Sequence, residues 1–522
     1  MNKLNYKNKN IFFILILCFF SIAFNFYYGY RGIFPTDSFL IFDSGYYVLN
    51  GFHPFKDYWT VTGPLLDYLQ ALFFLIFGTS WFSYVLHAAI INLILAIFSY
   101  FVFVQLGLKK VHSFAYSTGI SLLAYPIIGT PFVDHHSIIF SIFAIYCFIL
   151  GIEKNKNIYW FLIPLFLGCS FLSKQIPASY IIIFILLMLL LFLYYSFNIK
   201  KISLLVIGTF FTLSFFALIL IINQIPLNNF LIQYFLYPMT VGSSRVESLN
   251  FDLKGFIGHF KYIYICLIPL FVVLLKMVLK NKKTLDEKKD FTIILTIIGM
   301  TLIFIYAQLL TKNQILIFFI IPLVTAFSHI YFFKYFSKKY FIYFIILICL
   351  FSVTKYHFRY NEQKKFMELE NANFDLAIKA GKIHKIFNGL QWITAHYLND
   401  PTKEVNKLIE IKDYINSDLK NKIIISDYQF FSAISNSKFD TLIKWNKWYD
   451  AVSVPHKENK YFSNYQKFFI KKIKKNKIKE IYAIGNDNKF IYFEDLIDNG
   501  NCINSKSINE MLIIYDISNC DL

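Results

Sequence analysis

Charge is what this sequence has least of. Only 16% of its 522 residues are Asp, Glu, Lys or Arg, against 57% hydrophobic and 20% aromatic. A chain so poor in charge cannot clothe a soluble globule, and its composition is that of a polytopic membrane protein. Acids are scarcer than bases, leaving a formal net charge of +19. Much of that surplus falls in short loops between apolar runs, where the positive-inside bias accounts for it and no nucleic-acid partner is needed. Cysteine is sparse too. Of the seven present, Cys18, Cys147, Cys169, Cys266 and Cys349 lie in apolar runs and read as packing residues. Cys502 and Cys520 could meet an oxidising compartment, as a disulfide or as two thiols. No small-x-small cleavage site follows the apolar run from Ile11, so that run, led by Lys3, Lys7 and Lys9, reads as an uncleaved first span. No internal repeat is visible, and the only low complexity is a Lys/Asn-rich bias of the kind an AT-rich genome produces.

The apolar runs organise the chain. With roughly 20 residues needed per crossing, spans are expected at 11–28, 81–106, 113–130, 137–152, 158–172, 177–197, 202–223, 262–279, 291–310, 315–333 and 340–353. That makes about 11 spans, with the N-terminus cytoplasmic and the C-terminus extracytoplasmic. The apolar segment 64–77 would reach only about 21 Å as a helix and carries Asp67 and Gln70, so it is expected to lie at the interface. Counting it as a crossing would also put Lys109 and Lys110 on the wrong side. After Lys355 polar residues rise and runs of soluble type appear. Strands are expected at 422–427, 478–484 and 511–515, with a helix over 462–475 whose Tyr465, Phe468, Phe469 and Ile473 share a face. The expected organisation is a transmembrane catalytic domain at 1–354, with a first extracytoplasmic loop at 29–80, and an extracytoplasmic α/β domain at 355–522.

The densest chemistry lies in that first loop. Between residues 37 and 77 stand Asp37, Asp43, Asp57 and Asp67, among aromatics, prolines and glycines. Carboxylates beside a bilayer are expensive to desolvate and usually line a wet cavity or a site. The series Asp43-Ser44-Gly45-Tyr46-Tyr47, Gly51 to Pro54, Asp57-Tyr58-Trp59 and Gly63-Pro64-Leu65-Leu66 before Tyr68 resembles the first extracytoplasmic loop of GT-C membrane glycosyltransferases. The likeness is to the protein-mannosyltransferase-like and aminoarabinose-transferase-like branches, within the dolichyl-phosphate-mannose-protein mannosyltransferase superfamily. It covers roughly residues 11–180 and does not reach the C-terminal domain. It implies a GT-C-like helical membrane fold and transfer of a sugar from a polyprenyl-phosphate donor.

Individual residues take roles from this reading. Asp43 matches the acid that serves as base in the family, taking the acceptor proton. The plainer alternative is an aspartate capping the helix that follows. Relatives carry a second acid where Thr60 or Thr62 stands here, so Asp57 or Asp67 could substitute, or a single acid could serve. Asp67 could equally be the wet face of an interfacial helix. Asp134, His135 and His136 form a polar cluster suited to substrate hydroxyls. Their donor types would also suit a divalent metal such as Zn²⁺ or Mn²⁺, but adjacent ligands rarely converge on one ion and no distant Cys or His completes a set. Lys174 is placed to hold the donor phosphate, and the resemblance puts a lysine there; the alternative is a snorkelling headgroup anchor. Arg245 and Lys312 are weaker versions of the same idea. In the C-terminal part no Gly-rich loop follows Ser426-Asp427-Tyr428-Gln429, which argues against a nucleotide site. Trp392, Trp445, Trp448 and Tyr449 could stack on sugar or simply fill a core. The basic run 471–479 reads as a solvated helix face.

The function expected is therefore an inverting glycosyltransferase of cell-envelope glycan synthesis or modification, in a bacterial inner membrane. Its partners would be a polyprenyl-phosphate sugar, a lipid, glycan or protein acceptor, and membrane lipids. No cofactor is demanded. A surface-polysaccharide polymerase or ligase would place its key basic residues in a long later loop, such as 224–259, and the early acidic loop argues against it. A transporter would show repeats and mid-bilayer charges. A plain anchor for the soluble domain would not need so many spans.

Overall fold

The computed structural model describes residues 2–247, 254–280, 282–311, 316–337, 340–436, 440–445, 453–485, 495–497 and 502–521. Of the residues singled out from the sequence, Lys312, Trp448 and Tyr449 lie outside these. The chain forms two compact units, each assembled from three separate stretches.

The first unit comprises 1–29, 85–217 and 248–366. It is helical because its apolar runs have no water to satisfy their backbone groups, and the helix closes every such bond internally. Among the described residues, eight helices are long and apolar enough to cross a membrane, including Asn10–Gly29, Trp81–Gln105, Val133–Lys154 and Leu285–Thr311. Three further expected spans appear as the shorter helices Lys110–Leu123, Asn157–Ser173 and Ile320–Tyr335. The first of these, at 14 residues, is only about 21 Å long. This is an integral membrane protein of polytopic helical type with a C-terminal part of α/β character. Helix Val133–Lys154 is buried almost from end to end, whereas Ile199–Ile222 leaves most of its apolar side chains exposed. A helix apolar all round and exposed faces lipid. Polar side chains tie the buried helices together. Ser99 Oγ and Tyr146 Oη lie 2.8 Å apart, and Asn92 donates to the Ser121 carbonyl at 2.9 Å. Asp290, buried, takes Lys334 Nζ at 2.6 Å and the Tyr335 hydroxyl.

The second unit comprises 30–84, 218–247 and 367–522. Two short strands, β1 (Ile378–Lys379) and β2 (Gln391–Trp392), pair antiparallel. A four-stranded sheet follows from β3 (Lys422–Ser426), β4 (Glu480–Ile484), β5 (Asn504–Asn509) and β6 (Leu512–Asp516), in the order β3-β4-β6-β5. β3 and β4 are parallel and fully buried, as their Ile-rich sequences require, while β6 runs antiparallel to both of its neighbours. The helix Phe462–Asn476 covers the sheet with Tyr465, Phe469 and Ile473 buried. Cys502 and Cys520 are joined in a disulfide, and the other five cysteines are free.

The first loop is stitched into this unit. Trp59 N donates to the Leu442 carbonyl at 2.8 Å and Lys444 N donates to that of Trp59 at 2.9 Å. At the other end of the loop, Gly32 N donates to the Gln391 carbonyl at 3.0 Å, and Gln391 N returns a bond to Tyr30. Trp392 is core rather than a sugar platform: its indole N–H donates to buried Glu404 at 2.9 Å.

Candidate active site

Two short helices build the centre of the first loop, Leu40–Leu49 and Leu65–Phe77. They pack closely at Gly45, where an added Cβ would stand 2.5 Å from Gln70 Cγ. This contact brings Ser44 over Asp67. Asp67, fully buried, accepts from Ser44 Oγ at 2.9 Å, Tyr58 Oη at 2.8 Å and Lys444 Nζ at 2.5 Å. Asp67 is therefore not the wet face of an interfacial helix. Its charge is matched inside the protein, as a buried carboxylate needs. Lys444 is as deeply buried, and desolvation pulls its ammonium below the ordinary lysine range despite the attraction of Asp67.

Asp43 sits in the first turn of helix Leu40–Leu49 and makes no cap bond, so the capping alternative does not hold. It is 7% exposed, and the Ser432 hydroxyl donates to its Oδ1. Phe42 on the same helix and Phe39 just before it pack their rings at a tilt against Trp81, and Phe39 also meets Phe430 edge-on. Removed from water, the carboxyl is pushed up to about 7, the Ser432 bond opposing that rise. A carboxyl poised there exchanges its proton near neutrality. Tyr47 feels the fields of Asp43 and Asp440, and burial keeps its phenol protonated.

Beside Asp43 opens a cleft of about 1200 Å³, whose lining includes Tyr46, Tyr47, Asp57, Trp59, Gln233 and Ser432. Asp57 faces it with its Oδ2 committed to a turn, accepting from His53 N at 2.8 Å. Gln233 braces the loop, taking Thr60 N at 3.1 Å and donating to the Phe55 carbonyl at 3.2 Å. Arg245 ends helix Tyr237–Glu247, near enough to act on the Tyr237 phenol.

The remaining expected residues belong to the first unit. Lys174 Nζ reaches both oxygens of Asp134, at 2.6 and 2.7 Å, with Asp134 2% exposed. His135 Nε2 lies 3.0 Å from the Ala124 carbonyl. His136 meets the Tyr125 hydroxyl through Nδ1 and His87 through Nε2, at 3.1 Å. Among the described residues no three His, Cys, Asp or Glu side chains gather in metal-binding fashion. His87, Ser432 and Lys444 escaped the sequence reading: a lone histidine in an apolar span, a serine and a lysine in a Lys-rich chain carry no local signal.

Comparisons with known proteins bear on the whole. A structure search finds ArnT from Cupriavidus metallidurans in the apo state, with 10% identity, 98% of each chain covered and a TM-score of 0.46. A search of curated proteins finds no match. Residues 61–222 match the family model of dolichyl-phosphate-mannose-protein mannosyltransferases, a stretch that holds Asp67, Asp134, His135, His136 and Lys174 and leaves Asp43 and Asp57 upstream. The resemblance read from the first loop is thus met by a family-model match that begins at Val61 and covers under a third of the chain.

Proposed function

We propose that the protein is an inverting GT-C glycosyltransferase that moves a sugar from a polyprenyl-phosphate donor to an acceptor hydroxyl on the extracytoplasmic side of a bacterial inner membrane. The observation that carries the assignment of the base is Asp43: a buried carboxyl at about 7, held by Ser432, beside an open cleft. Ionised Asp43 takes the proton of the acceptor hydroxyl as its oxygen attacks the anomeric carbon. The bond from that carbon to the phosphate oxygen breaks, and the polyprenyl phosphate leaves with the electron pair. Attack on the face opposite the leaving group inverts the anomeric centre. Lys174 and Arg245 are the cations assigned to the leaving phosphate. Asp134, held by Lys174, is grouped with Asp57, His135 and His136 as the polar set that orients sugar or acceptor hydroxyls.

Incubating membranes that contain the protein with a panel of labelled polyprenyl-phosphate sugars tests this reading. The expected result is consumption of one donor and a product of opposite anomeric configuration. A product of retained configuration would require a covalent intermediate and overturn the single-displacement scheme. Ser432→Ala supplies a second check. Loss of the bond that favours the charged carboxylate should move the ascending limb of the pH–turnover profile up by about one unit. An unmoved limb would detach Ser432 from the base.

A further inference from the structure

The wall of the cleft away from Asp43 is basic. Six lysines line it, Lys56, Lys422, Lys467, Lys471, Lys472 and Lys475, against two acids, Asp57 and Asp440. Both acids are already engaged: Asp57 caps its turn, and Asp440 takes Lys472 Nζ at 3.4 Å and Asn476 Nδ2 at 2.6 Å. Lys472 is further fixed on the carbonyls of Asp57 and Thr441. Lys56 is held by the Asn223 carbonyl at 2.9 Å, and Lys422 by Asp418 at 3.0 Å. Among the described residues, no acid pairs with Lys467, Lys471 or Lys475. They stand four residues apart on helix Phe462–Asn476, so they form a row about 12 Å long on one face. Consecutive lysines in the row thus rise from the helix roughly 6 Å apart along its axis. Aromatic side chains, Tyr46, Phe52, Trp59 and Phe468, share the lining with the lysines. The row is therefore more than a solvated helix face: it borders a concavity with apolar platforms.

We infer that this cleft is a binding site for a polyanionic saccharide, whose carboxylate or phosphate groups meet the lysine row while its rings lie on the aromatics. A concave, aromatic-lined cleft favours a glycan over a flat anionic membrane surface. Assigning that saccharide as the acceptor rests on the glycosyltransferase reading; the binding itself does not.

The test uses the full-length protein in nanodiscs of neutral phosphatidylcholine, with a fluorescent oligogalacturonide as probe and a malto-oligosaccharide of equal length as the uncharged control. The oligogalacturonide should bind, and the malto-oligosaccharide should bind at least about tenfold more weakly. The variant K467Q/K471Q/K475Q should lose at least about tenfold in affinity and show a flatter salt dependence. A control with the same change of charge on exposed lysines outside the cleft, K474Q/K477Q/K479Q, should lose less than about twofold. Equal losses in the two triple variants would reduce the effect to bulk charge and overturn the proposal. So would equal binding of the two oligosaccharides, absence of oligogalacturonide binding, or its displacement by phosphatidylglycerol vesicles but not by unlabelled oligosaccharide. Probe binding and donor turnover are read separately on the same wild-type protein. Probe binding without donor turnover would therefore sink the transfer reading alone, and donor turnover without probe binding would sink the cleft alone.

Discussion

Asp43→Asn is expected to cut donor turnover by about a thousandfold while making the protein more stable at alkaline pH. The two effects share one cause. Burial raises the Asp43 carboxyl from 3.8 to about 7, so between those values the folded chain holds a proton that the unfolded chain has lost. Stability rises with pH only where the unfolded state binds more protons. Here the folded state binds more, so the contribution of Asp43 is fully present below about pH 4 and lost as pH climbs through 7. A shift of this size corresponds to about 4 kcal/mol at most. Asparagine keeps the shape, still accepts from Ser432 and never ionises. Thermal unfolding in detergent at pH 8 should therefore show the variant more stable than wild type, and the gap should narrow as pH falls below 7 and close near pH 4. Equal unfolding temperatures at both pH values would mean that the Asp43 charge carries no desolvation penalty, which would remove the physical basis for its role.

The second large effect concerns Lys444. Its ammonium and the Asp67 carboxylate are 1% and 0% exposed and lie 2.5 Å apart. Removing one partner strands the other charge, which costs about 3–5 kcal/mol. Lys444→Met is thus expected to lower the unfolding temperature sharply, whereas Lys444→Met combined with Asp67→Asn should recover much of the loss. The hydroxyls of Ser44 and Tyr58 bond different oxygens of Asp67, so one can donate to the asparagine oxygen and the other accept from its amide. If the double variant is as unstable as the single one, the damage comes from lost packing rather than from an orphaned carboxylate. The pair also joins the first loop to a residue late in the chain within one unit, so the geometry around Asp43 depends on residues that the loop does not contain.

How much of this was legible in the sequence depends on the range of the interaction. The helical membrane class, the three buried strands and the amphipathic helix over 462–475 each follow from local periodicity, and each is found. β5 was not anticipated, because Asn504–Asn509 is polar and largely exposed and is a strand only through its bonds to β6. Eleven runs were expected to cross and all appear as helices, but three are shorter than a full crossing: Asn157–Ser173 because its apolar run is itself short, Lys110–Leu123 and Ile320–Tyr335 because turn residues at one end leave the helix. At the site, Asp43 could be singled out from its motif. The partners that set its properties could not: Ser432 and Lys444 reach Asp43 and Asp67 across more than three hundred residues, and neither differs locally from its neighbours. The Asp134–Lys174 pair illustrates the same point, for both residues were picked out separately and their contact follows only from the packing of two helices.

The account stands or falls on Asp43 as the proton acceptor, and the most direct measurement is the pH dependence of donor turnover in wild type and Asp43→Asn at matched protein levels. Wild-type turnover should rise with pH through a single ionisation near 7, as the buried carboxyl loses its proton, and level off above it. The residual turnover of the variant should be far lower and should lack that limb. The same limb in both proteins, or equal turnover in both, would place the base elsewhere and contradict the central claim.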